Sequence, residues 1–136
     1  MNPLAKWGLV IVGTMLALSI VVPMLAPSPQ ESARRAKAKE VEAKYYTALS
    51  TIRKNLKSPS AAKFSNYQTD KSTGARSLGG GVWQAAGSVE AQNSFGATVK
   101  SRWELIWRDG GEILYMRIGD QKAGDKESAL KAGSSQ

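Results

Sequence analysis

From Trp7 to Gln30 the chain carries no charged side chain, and Trp7–Pro27 (WGLVIVGTMLALSIVVPMLAP) is the stretch that most limits where the molecule can reside. At about 1.5 Å of rise per residue, a helix of this length measures roughly 30 Å, the thickness of a bilayer's hydrocarbon core. Ten of its residues are Leu, Ile or Val, each favouring insertion by about 0.3–0.6 kcal/mol. Leu9, Ile11, Leu16, Ile20, Val22 and Leu25 are the expected lipid-facing anchors, with Trp7 at the interface, where an indole is favoured. Gly8, Gly13 and Pro23 weaken a helix in water but are tolerated in lipid. A cleaved secretory signal is the alternative. Its apolar core usually spans about 7–15 residues, less than this run, and cleavage after Ala26 leaves Met24 where a small side chain is preferred. The expectation is an uncleaved, single-pass signal-anchor in the inner (plasma) membrane, preceded by a short tail, residues 1–6.

Which side carries the rest of the chain is less direct. Arg34, Arg35, Lys37, Lys39 and Lys44 come after the anchor and Lys6 alone precedes it, which by the positive-inside rule points the C-terminal part to the cytoplasm. A short N-terminal tail with a lysine also begins a signal-anchor that exports the downstream chain. The two cues conflict.

The excess of 19 Lys and Arg over 11 Asp and Glu is local: Glu31–Lys63 holds nine basic and three acidic residues, whereas residues 65–136 hold nine and eight. Arg34, Arg35, Lys37 and Lys39 are therefore candidate lipid contacts, each worth about 1 kcal/mol beside anionic headgroups. Outside the cytoplasm they keep a stalk solvated. Residues 28–40 read as that juxtamembrane stalk.

A small α+β domain is expected over residues 41–119. Val41, Tyr45, Leu49, Ile52 and Leu56 draw one apolar stripe on a helix from about Glu31 to Leu56, with Ala48 beside it. Phe64–Asp70 is the expected first strand and Lys71–Gly81 a loop or hairpin tip. Val82–Gln92 alternates as a strand, with Trp83, Ala85, Gly87, Val89 and Ala91 on one side. In Thr98–Arg108, Val99, Trp103, Leu105 and Trp107 oppose Lys100, Arg102, Glu104 and Arg108, the pattern of a half-buried antiparallel strand. Asp109-Gly110-Gly111 suits a tight hairpin, and Glu112–Ile118 returns, with Ile113, Tyr115 and Arg117 alternating against Leu114, Met116 and Ile118. The expected architecture is an antiparallel sheet of three to four strands packed on a helix, with residues 120–136 a polar, disordered tail.

With neither cysteine nor histidine in the chain, thiol chemistry, Cys-based metal sites and His-dependent proton transfer are excluded. Gly79-Gly80-Gly81 lacks the spacing of a phosphate loop, and nothing in the sequence gathers Glu90, Glu104 and Asp109 in one cleft. No enzyme, cofactor or metal is expected. Gln92, Asn93 and Ser94 are candidate ligand-binding groups, against a structural reading in which Asn93–Gly96 is a strand connection pinned by Phe95. Lys100, Arg102 and Arg108 are a candidate anion-binding face, against a solvated face that discourages aggregation. Glu104 interrupts that face, and nucleic-acid binding is not expected.

Lys57-Ser58-Pro59-Ser60-Ala61-Ala62-Lys63-Phe64, together with Glu90-Ala91-Gln92-Asn93-Ser94-Phe95-Gly96-Ala97-Thr98-Val99-Lys100-Ser101-Arg102 further along, resembles a small uncharacterised domain of bacterial and phage membrane proteins. Its members pair a K-x-P-S-x-A-x-F segment with a V-D-A-Q-N-S-F-G-A-x-V-R segment, commonly beside a single transmembrane helix and sometimes a zinc ribbon. The likeness covers about Leu56–Ile118; Glu90 stands where Asp is usual, and there is no zinc ribbon. The resemblance implies an extracytoplasmic domain and carries over no activity and no catalytic residue. The expected function is that of a non-enzymatic protein-interaction domain in the cell envelope, in contact with the lipid bilayer and a protein partner. The alternatives are a cytoplasm-facing regulatory module with its basic stalk on anionic lipid, and a prophage-encoded envelope factor that modifies a host surface machine.

Overall fold

A computed structural model describes residues 27–134. The expected anchor, apart from Pro27, and the tail before it lie outside the described residues; among those described, no helix is long and apolar enough to cross a membrane. The chain divides after Lys37 into an amino-terminal unit and a second unit beginning at Ala38.

Helix α1 spans Pro29–Lys54. Ser28 starts it: its Oγ accepts the Glu31 N–H at 3.2 Å and its carbonyl accepts the Ser32 N–H at 2.9 Å, while Pro29 brings a φ already suited to the first turn. The apolar stripe is realised, with Tyr45, Ala48 and Ile52 buried and Val41, Leu49 and Leu56 packed at its margins. Every residue from Pro27 to Glu40 is exposed.

A 3-10 turn at Pro59–Ala61 leads into six strands: β1 Lys63–Phe64, β2 Gly74–Gly79, β3 Val82–Gln92, β4 Thr98–Arg108, β5 Ile113–Ile118 and β6 Gln121–Gly124. All pairings are antiparallel, in the order β1-β3-β4-β5-β6, with β2 beside the first half of β3. Helix α2, Lys126–Ser134, closes the described chain.

The α+β class holds, but the sheet has six strands rather than the expected three to four, and further expectations need correction. The first strand is only two residues long, because Asn66 and Asp70 turn the chain: the Gln68 N–H bonds Asn66 Oδ1 at 2.8 Å and the Ser72 N–H bonds Asp70 Oδ1 at 2.9 Å. Part of the expected Lys71–Gly81 loop is strand β2, because β3 offers a partner that local composition does not reveal. Residues 121–134 are ordered as β6 and α2 rather than as a disordered tail. The reason is small side chains that allow close approach: Ala129 and Gly133 are buried, and a Cβ added at Gly133 would stand 2.5 Å from Leu78 Cβ. Finally, the sheet is covered on both faces. Tyr45, Ala48 and Ile52 of α1 pack on Trp83, Trp103, Leu105 and Trp107, while Ala129 of α2 packs on Val82, Ile106 and Tyr115.

That second layer buries Glu104, expected on a solvated face; it is 5% exposed. Its carboxylate accepts hydrogen bonds from Gln84 Nε2 at 2.6 Å and Lys126 Nζ at 2.9 Å, so a buried charge is matched where α2 docks. A bulge also breaks the alternation expected of β5. Trp107 pairs with Ile113 and Ile106 with Tyr115, leaving Leu114 as the extra residue. Leu114 and Tyr115 consequently both serve the α2 side, while Met116 and Ile118 pack against the α1 core.

Candidate functional site

β3 and β4 pair along their whole length, from Val82 opposite Arg108 to Gln92 opposite Thr98. β5 pairs only with Trp103–Trp107. The far end of the hairpin therefore projects beyond the sheet, with Thr98–Arg102 carrying β3 on one side and no strand on the other among the described residues.

Its tip is held from within. Asn93 Oδ1 accepts the N–H groups of Phe95 at 2.9 Å and Ala97 at 3.0 Å; the Asn93 N–H bonds the Ala97 carbonyl at 2.9 Å and its carbonyl accepts the Gly96 N–H at 3.1 Å. Gly96 supplies the positive φ, +80°, that the turn requires. Phe95 does not pin this connection, as the structural reading supposed; it is 94% exposed, and the asparagine does that work instead. Val99, expected on the buried face, is 43% exposed because β5 ends before reaching it.

Beside the tip lies an open groove of about 450 Å³ between the segment that follows α1 (Asn55–Lys57), the hairpin (Ala91–Ser94, Val99, Ser101) and the β5–β6 turn (Ile118–Gln121). Lys57 Nζ bonds Ser94 Oγ at 2.7 Å across it. The two sequence segments singled out by resemblance are thus neighbours: Lys57 touches Ser94, and Lys63 pairs with Glu90 in the sheet.

Gln92, Asn93, Ser94 and Phe95 come together at this end, and Lys100 and Arg102 lie on the adjoining strand, both exposed. Lys63, Glu90 and Lys100 fall opposite one another across three strands, so one acid separates two cations. Arg108 does not join them. It stands at the opposite end of β4, about 20 Å from Arg102 by strand rise, and its guanidinium bonds Glu112 at 2.6 Å. Arg34, Arg35, Lys37 and Lys39 are all exposed on α1, the first three in the amino-terminal unit, where Arg35 bonds Glu31 at 2.5 Å.

The acids expected to stay apart have separate partners. Lys44 bonds the Asp109 carboxylate and holds it below the usual carboxylate range, and Glu104 is committed to Gln84 and Lys126. Among the described residues no group of three or more His, Cys, Asp or Glu side chains gathers as a metal would need.

Sequence reasoning missed Lys57 and the Ile118–Gln121 turn as parts of this site. Lys57 opens the first segment of the resemblance, which was the signal available; Asp120 and Gln121 of the turn lay where a disordered tail was expected. Comparison with protein-family models, with curated proteins and with solved structures returns no match.

Proposed function

We propose that the chain is a non-enzymatic, single-pass membrane protein that holds its α+β domain on the extracytoplasmic side of the envelope and binds a protein there with the projecting end of β3–β4. The observation that carries this reading is the exposure of Phe95 on a turn that Asn93 already stabilises. An aromatic side chain left in solvent by its own turn, near the exposed Val99 and an open groove, is suited to burial against a partner. The apolar Trp7–Pro27 run supplies the membrane anchor, and the resemblance of Leu56–Ile118 favours the outer side.

The exposed basic face of α1 favours a second reading, in which the domain faces the cytoplasm and Arg34, Arg35, Lys37 and Lys39 rest on anionic lipid. A thiol label separates the two. Ser128 is exposed on α2, and the chain has no cysteine of its own. Ser128→Cys is expected to react with a membrane-impermeant maleimide in intact spheroplasts. Reaction only after lysis overturns the extracytoplasmic reading.

A further inference from the structure

We propose that the open edge of β4 at Thr98–Ser101 takes up an extended acidic segment of a partner protein as an added strand, in line with β5. This rests on the reading of the domain as a protein-binding module and names the kind of partner.

The bonds around the hairpin fix the direction of the backbone groups. In an antiparallel ladder the N–H and C=O of one residue point the same way, and successive residues alternate. Ser88 faces away from β4, its carbonyl accepting the Ser65 N–H at 3.0 Å and its N–H reaching Ser65 Oγ at 3.1 Å. Arg102, opposite Ser88, faces away from β3, and its carbonyl accepts the Gly119 N–H at 2.8 Å. Lys100 and Thr98, two and four residues earlier, direct their N–H and C=O groups to the same side, where β5 has ended. Gly119, with φ +59°, turns the chain away at that level.

The open groove adjoins this edge at Val99 and Ser101. Donors and acceptors spaced along a strand are matched by another extended backbone; a helix has no free donors along its length to offer them. Charge selects among extended segments. Lys57 lines the groove and Lys100 and Arg102 lie on the edge strand, against Asp120 in the groove and Glu90 opposite Lys100 on β3. A second copy of this chain is disfavoured, because pairing two such edges sets Lys100 and Arg102 of one copy against the same cations of the other. Alternating Glu or Asp on the incoming strand meets them favourably.

The test uses the full chain in lipid nanodiscs and an acetylated, amidated heptapeptide alternating Glu and Val. This peptide is expected to bind saturably and to slow hydrogen exchange at the Thr98 and Lys100 amides about tenfold. A Lys/Val heptapeptide, and a Glu/Val heptapeptide N-methylated at every residue so that neither edge can donate, are expected to bind about tenfold more weakly or worse. The double variant K100E/R102E should reverse the preference between the Glu/Val and Lys/Val peptides, an effect that loss of folding would not produce. Equal binding of the two charge types, no binding, or unchanged exchange at Thr98 and Lys100 overturns strand addition. A photo-reactive residue in place of Phe95 tests the underlying protein-binding role separately. Protein adducts from that position in cells, without edge protection, refute strand addition alone; no adducts refute protein binding at this end.

Discussion

The two ends of the β3–β4 hairpin are made of the same paired strands and live in different surroundings. At the end near the Asp109–Gly111 turn, Trp103, Leu105 and Trp107 face α1 and Ile106 faces α2, all buried. At the other end, Thr98, Val99 and Lys100 are exposed, and so is the whole of the Asn93–Ala97 turn. The apolar–polar alternation runs on through both, so alternation alone does not decide burial. What decides it is whether β5 and the helices reach that far. The buried end is accordingly where stability is concentrated, and the projecting end is where surface remains for a partner.

Substitutions at the two ends should differ accordingly. Trp103 is fully buried, with Tyr45 tilted against it, Phe64 edge-on and Gly87 against its ring. Trp103→Ala is expected to lose about 3–5 kcal/mol in urea unfolding. Gly133→Ala forces a methyl into Leu78, whose carbonyl oxygen would lie 2.8 Å from it. A loss of about 1–3 kcal/mol is expected, with α2 becoming the first site of limited proteolysis.

Burial pushes the Tyr45 phenol up to about 12, so the unfolded chain releases this proton first, near pH 10. Stability should be unaffected by Tyr45 below that pH and should decline as pH rises from about 10 towards 12. Tyr45→Phe is expected to flatten this decline. At the projecting end, Phe95→Ala should change stability by less than about 0.5 kcal/mol, and hydrogen exchange should show Val99 opening locally while Leu105 opens only with the whole domain. A large loss on Phe95→Ala would break the contrast between the ends.

Much of the buried end was legible in the sequence. The stripe Val41–Leu56, the alternation in β3 and the Asp109-Gly110-Gly111 turn all obey local periodicity, and each has its expected counterpart. Less legible were the features created by neighbours distant in sequence. β2 and β6 are short strands rich in Gly and polar residues, formed because β3 and β5 present edges to them. Helix α2 has little apolar content and docks through Ala129, Gly133 and the Lys126–Glu104 ion pair. The Leu114 bulge reverses a face without any Gly or Pro to mark it. The site residues Gln92–Phe95 stand out as an unusual local stretch, but the role of Asn93 over Phe95 in holding the turn required geometry.

The most direct test of the division between the two ends is a paired photo-crosslink in living cells. One variant carries a photo-reactive phenylalanine analogue in place of Phe95, the other in place of Ile113, which is also exposed but belongs to the other end of the sheet. Discrete protein adducts from position 95, with none from position 113, are the predicted result. Adducts from position 113 alone would place the binding surface at the end assigned here to folding and would contradict the account.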